Sequence, residues 1–118
     1  MVQVLVVDDA QYMRRLISVM LTKHGHEVVG EASSGPEAIE LYHKLHPDLV
    51  IMDVLMPNMD GIKALKDIRA ADPSARVIMC TASEQTHHVE ESVANGASGY
   101  IVKPFHLDDL LQEINKIL

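Results

Sequence analysis

Two stretches of this chain are apolar without alternation, and each stops on a carboxylate. Val2 to Val7 is nearly all β-favouring apolar residues and runs into Asp8 and Asp9. Leu49 to Met52 is fully apolar and runs into Asp53. A strand with one wet face alternates apolar and polar residues. A run without alternation fits a strand buried on both faces, which is the situation in a parallel sheet covered by helices on each side. Val28 to Ala32, Val77 to Cys80 and Tyr100 to Val102 read as three further short strands, the last two ending at Thr81 and Lys103.

Helical signals fill the spaces between. Met13, Leu16, Ile17, Met20 and Leu21 recur at helical spacing and Gly25 ends that helix. Ser34 and Glu37 have the spacing of a capping box, Pro36 suits an early helical position, and Pro47 stops the helix after about Leu45. Val54 to Gly61, with Pro57, Asn58 and Asp60, reads as a loop, followed by a helix from about Ile62 to Ala70. Asp72-Pro73 breaks the chain, and a helix from about Gln85 closes at Asn95-Gly96. Leu107, Leu110, Leu111, Ile114 and Ile117 form the apolar face of the last helix. Strand and helix thus alternate five times. The expected fold class is α/β: a five-stranded parallel sheet, (βα)5, doubly wound with helices on both faces and right-handed crossovers.

The 118 residues suit one compact domain, expected over residues 1–118. Apolar residues make up 47% but aromatics only 3%, so Val, Ile, Leu, Met and Ala must build the core. Ten Lys and Arg against seventeen Asp and Glu leave a net charge of −7. That balance repels phosphate backbones and disfavours nucleic acid, while a cation or a basic protein face is the natural partner. Cys80 is the only cysteine, so an intramolecular disulfide is excluded and Cys80 reads as a small buried apolar residue. No basic leader precedes an apolar stretch and no apolar run reaches membrane length. The expected location is the cytoplasm, without membrane insertion.

In an open α/β sheet, ligands bind beyond the carboxyl ends of the strands. Asp8, Asp9, Asp53, Thr81 and Lys103 are all placed there. Singly, each aspartate reads as the N-cap of the next helix and the lysine as solvated. Together, three carboxylates on one rim repel one another unless something positive lies between them. A hard divalent cation such as Mg2+ accepts oxygen ligands of this kind, and no Cys or His stands at the rim for a softer metal. With Lys103 and the Thr81 hydroxyl, the rim describes a site for phosphoryl oxygens, with a carboxylate as nucleophile. The seven histidines, among them His43 and His46 at i and i+3, His24 and His26, and His87 and His88, show no tight four-ligand pattern for zinc.

The stretches VLVVDDAQYMR, PDLVIMDVLMPNMDG, CTAS and GASGYIVKPF together resemble the response-regulator receiver domains of two-component signalling over the whole length. The resemblance implies a flavodoxin-like sheet order 2-1-3-4-5. It implies that Asp53 is the phosphoacceptor, and that Asp9 binds Mg2+ directly while Asp8 helps through water. The backbone carbonyl of Leu55 is a further implied ligand. Thr81 resembles the hydroxyl that grips the phosphoryl group, Lys103 the lysine that pairs with the acids, Tyr100 the aromatic switch, and Pro104 the proline after a cis peptide. The implied donor is a phosphohistidine on a histidine kinase. The implied target is a protein that reads the fourth helix, fifth strand and fifth helix. Leu55 and Ser83, two residues past Asp53 and Thr81, predict slow or moderate loss of the phosphate, and Gly99 stands where the family is often acidic.

The sequence leans towards a stand-alone chemotaxis-type regulator, a signalling module rather than an enzyme, with a phosphorelay intermediate as the alternative. An aspartate-nucleophile phosphatase needs a second acid two residues after the nucleophile, where Leu55 stands. A flavin binder needs a phosphate loop where Asp8 and Asp9 stand.

Overall fold

The computed structural model describes residues 2–54, 56, 61–82 and 86–118, with the side chains of Ala82 and Thr86 left aside. Leu55, Pro57, Asn58, Asp60, Ser83 and Gln85 lie outside the described residues. Five strands and five helices alternate: β1 (Gln3–Val7), α1 (Gln11–Lys23), β2 (Glu27–Ala32), α2 (Gly35–Leu45), β3 (Leu49–Asp53), α3 (Gly61–Ala71), β4 (Val77–Ala82), α4 (Thr86–Ala94), β5 (Gly99–Lys103) and α5 (Leu107–Ile117). All strand pairs are parallel, in the order β2-β1-β3-β4-β5.

The missing alternation in the strands has a direct structural cause. Val4, Val6, Leu49, Ile51, Ile78 and Cys80 pack on one side with Ile17 and Leu21 of α1 and Leu110 and Ile114 of α5. Leu5, Val7, Val50, Met52, Val77 and Met79 pack on the other with Ala38 and Tyr42 of α2 and Ile62, Leu65 and Ile68 of α3. Each fully buried Leu, Ile, Val or Met side chain contributes roughly 1.5–3 kcal/mol. The central strands therefore have no face left for polar residues, except at their carboxyl ends.

The turns use the chemistry that the sequence offers. After α1, the N–H of Gly25 donates to the Thr22 carbonyl and that of His26 to the Leu21 carbonyl, with Gly25 at φ 84°. These two bonds make a Schellman end, in which glycine takes the left-handed position without a steric penalty. At the start of α2, Ser34 Oγ accepts from the Glu37 N–H, which is the first half of the expected capping box. The second half is displaced: the Glu37 carboxylate accepts from the N–H and hydroxyl of Ser33 instead. His46 is not on the helical face of His43, because it leaves α2 in the left-handed conformation at φ 47°. Both imidazoles instead approach the Tyr42 ring edge-on, at centroid distances of 6.1 and 6.4 Å.

Candidate functional site

Strand register assembles the site. Asp53 on β3 lies level with Cys80 on β4, one residue short of Thr81, while Lys103 on β5 lies level with Ala82. Asp8 and Asp9 follow β1, which neighbours β3 on its other side. The carboxyl ends of β1, β3, β4 and β5 thereby converge on one rim.

None of the three aspartates is positioned as a side-chain cap of the following helix. The N-cap of α1 is Ala10, and α3 begins only at Gly61, eight positions after Asp53. Asp8 is buried and held at every polar atom. Its N–H donates to the Ala32 carbonyl at 3.0 Å, its carbonyl accepts from Arg14 Nη1 at 2.7 Å, its Oδ1 accepts from the Ala10 N–H at 2.9 Å, and its Oδ2 accepts from Lys103 Nζ at 3.1 Å. Lys103 Nζ also lies 3.4 Å from Asp53 Oδ2, so one ammonium bridges two carboxylates. Burial pulls the Lys103 pKa down, but the charges of Asp53 and Asp8 and the hydrogen bond that Lys103 donates to Asp8 outweigh it and the net shift is upward. Lys103 is thus held as a cation.

Asp8, Asp9 and Asp53 offer carboxylate oxygens that all lie within 4.8 Å of one another. Among the described residues, this is the one His/Cys/Asp/Glu group placed to hold a metal, and the histidines form none. Its donors are all oxygen. That set suits a hard cation and fits Mg2+, which takes one or two carboxylates and keeps several waters. The expected Leu55 carbonyl ligand lies outside the described residues.

Thr81 is buried, at 2% exposure, inside β4 rather than after it. Cys80 beside it is fully buried, and burial pushes its thiol up to about 12, so it is an inert apolar filler as expected. Tyr100 is 42% exposed on β5, above a shallow groove lined by Val102, Phe105, Asp109 and Glu113. The Lys103–Pro104 peptide is cis, as expected. Gly99 has a packing reason: a Cβ there would meet Glu113 Oε1 at 2.7 Å and Ile117 Cδ1 at 3.3 Å. Glu113 of α5 thereby brings a carboxylate to the place where the strand itself carries no side chain.

Two contributors escaped the sequence reading. The Gly61 N–H donates to the Val54 carbonyl at 2.6 Å, and a Cβ on Gly61 would overlap the Asp53 carbonyl. The start of α3 therefore presses directly on the backbone that carries Asp53. Arg14 ties α1 to the Asp8 carbonyl and, through Nε, to Glu31 Oε1 on β2 at 3.2 Å. The glycine after a polar loop was a visible signal for the first. Only the rotation of α1 about its axis reveals the second.

Residues 4–115 match the response regulator receiver domain family. The chain belongs to that family. As a receiver it is similar to the chemotaxis protein CheY of Bacillus subtilis strain 168, with 50% identity over 116 residues, 98% of this chain and 97% of that protein. CheY of Thermotoga maritima is 46% identical over 115 residues, 98% of this chain and 96% of that protein. Among solved structures, the CheX–CheY–BeF3–Mg2+ complex from Borrelia burgdorferi superposes with a TM-score of 0.93 at 33% identity, covering 98% of this chain and 87% of that one. The receiver fold, its 2-1-3-4-5 sheet and its place in two-component signalling are thereby established for this chain. Among the described residues, no helix of the receiver is long and apolar enough to cross a membrane.

Proposed function

We propose that this receiver is a phosphorylation switch in which Asp53 takes a phosphoryl group from a phosphohistidine on a histidine kinase. The observation that carries the reading is the Lys103 ammonium set between Asp8 and Asp53 at 3.1 and 3.4 Å, beside a third carboxylate, Asp9. In the transfer, an Asp53 carboxylate oxygen attacks phosphorus, a P–O bond forms, the P–N bond to the donor imidazole breaks, and the nitrogen takes up a proton. Asp8, Asp9 and Asp53 would hold Mg2+ there, with the Leu55 carbonyl as the further ligand that the family resemblance implies. Bound there, Mg2+ would offset the carboxylate charge and that of the phosphoryl oxygens. Lys103 shifts from pairing the two acids to pairing the phosphoryl group, and the Thr81 hydroxyl donates a hydrogen bond to one of its oxygens.

The relay follows from packing. Movement of Thr81 towards the phosphoryl group opens space behind it, and the Tyr100 ring turns inward to occupy that space. Two packings separated by a small free energy are shifted in population by one modification. The altered surface spans α4, β5 and α5 and is read by a protein target. The resemblance to CheY supports a stand-alone chemotaxis-type receiver, one domain over 1–118, acting in the cytoplasm without nucleic acid or membrane insertion. It turns over only its own phosphate.

Fluorine NMR with beryllofluoride and Mg2+ tests the reading. Wild type is expected to give protein-bound fluoride resonances that vanish in Asp53→Asn and in the absence of Mg2+. Bound resonances that persist in Asp53→Asn would place the acceptor elsewhere.

A further inference from the structure

We propose that Arg14 is a positioning residue for the metal pocket, acting by clamping the peptide plane between Asp8 and Asp9. The inference rests on the reading of Asp8, Asp9 and Asp53 as a Mg2+ site. Arg14 Nη1 donates to the Asp8 carbonyl at 2.7 Å, while its Nε is held by Glu31 Oε1 at 3.2 Å. Only 16% of the Arg14 side chain is exposed, so the fork is packed and not merely solvated. The backbone of Arg14 is fixed in α1, where its carbonyl also accepts from Ser18 Oγ at 2.7 Å.

The carbonyl oxygen of Asp8 and the nitrogen of Asp9 belong to one rigid peptide plane. Fixing that oxygen fixes the direction in which the chain enters Asp9, and hence the aim of the Asp9 carboxylate. Asp8 has three other anchors: Ala32 at its N–H, and Ala10 and Lys103 at its carboxylate. Asp9 is exposed, and this clamp sets the peptide plane through which it is attached. Arg14 thus extends control of the metal pocket to β2, through Glu31.

Charge and geometry predict opposite signs for the loss of Arg14. Removing a cation that contacts the Asp8 carbonyl should, by Coulomb attraction alone, strengthen binding of a divalent ion in the acidic pocket. Removing a positioning group should weaken it. Mg2+ demands near-ideal octahedral geometry, whereas Ca2+ tolerates irregular sites, so the weakening should fall harder on Mg2+. Lysine keeps the charge but lacks the planar fork that serves two acceptors at once.

The test is calorimetric titration of Mg2+ and Ca2+ into the full chain, with metal-free thermal unfolding recorded alongside. Arg14→Ala is expected to lose about tenfold in Mg2+ affinity, the scale typical of groups that orient ligands. Arg14→Lys is expected to lose severalfold at unchanged charge, with Ca2+ affected less in both. Arg15→Ala, on the exposed side of the same helix, is the control for net charge and should bind Mg2+ no more weakly than wild type. Mg2+ affinity in Arg14→Lys equal to wild type, or in Arg14→Ala equal or higher, overturns the proposal. Should Arg14→Ala fail to fold, Arg14→Lys decides. Should Asp9→Asn bind Mg2+ as wild type does, the pocket reading itself fails and this inference with it.

Discussion

At the scale of single residues, two polar contacts have consequences that titration and mutation can read. Tyr42 is 4% exposed, and its hydroxyl donates to Asp72 Oδ2 at 2.7 Å. Burial, and then the hydrogen bond to Asp72, push its pKa from 10.0 to about 12. Its contribution to stability is whole below pH 10, where both states hold the proton. It is lost between pH 10 and 12, as the unfolded chain ionises first. A tyrosinate absorbance titration should show a late step near pH 12 from Tyr42, and in Tyr42→Phe that late step should disappear. Lys103 stands between two carboxylates, one of them buried. Removing one partner of a buried pair costs about 3–5 kcal/mol, and partial exposure of the lysine side chain reduces that to about 1–3 kcal/mol for Lys103→Ala. Chemical denaturation without Mg2+ should show this loss, and added Mg2+ should recover part of it. Asp8, Asp9, Asp53 and Lys103 were legible as a site because each interrupts or ends an apolar strand. Arg14 was not, since an arginine on an amphipathic helix looks solvated until the helix is docked.

At the scale of elements, the strands were legible because burial on both faces leaves a distinctive run without alternation. Their ends were less so. Thr81 was expected just past β4, yet the ladder continues through Ala82, because pairing to Val102 and Lys103 extends it beyond the last apolar residue. The caps show the same limit. Ser34 and Glu37 have the capping-box spacing, but the Glu37 carboxylate reaches one residue further back, to Ser33. Spacing states what a side chain is able to reach, and packing states what it does reach. Gly61 after a polar loop signalled a close approach, but its partner, the Asp53 carbonyl, shows only once α3 is docked on β3. Gly61→Ala must move α3 away from the Asp53 carbonyl, and overpacking of this kind costs about 1–3 kcal/mol. Denaturant unfolding of Gly61→Ala should report that loss. Labelling of Asp53 should slow as well, since the same displacement misaligns its backbone.

At the scale of the whole molecule, the proposed switch would have the sheet separate reception of the signal from its relay. The acidic rim lies at the carboxyl ends of β1 and β3, while Tyr100 lies on β5 at the far edge, with β4 between. Thr81 lies in β4, the strand between them. Tyr100→Ala is therefore expected to keep a phosphorylation rate within about twofold of wild type, while losing the beryllofluoride-dependent gain in target binding. Proton–nitrogen correlation spectra with and without beryllofluoride should show the remote changes concentrated in α4, β5 and α5. The five-fold alternation made the architecture legible, and convergence of unlike residues at one rim made the chemistry legible. The placement of Tyr100 at the far edge from the acidic rim comes from strand order, which local periodicity does not contain.

Intact-mass measurement after incubation with acetyl phosphate and Mg2+, followed by peptide mapping, tests the central claim most directly. Wild type should gain one phosphoryl group on the peptide containing Asp53, with none gained by Asp53→Asn or by wild type with chelator. An unlabelled wild type, or equal labelling of Asp53→Asn, would contradict the assignment of Asp53 as the residue that receives the signal.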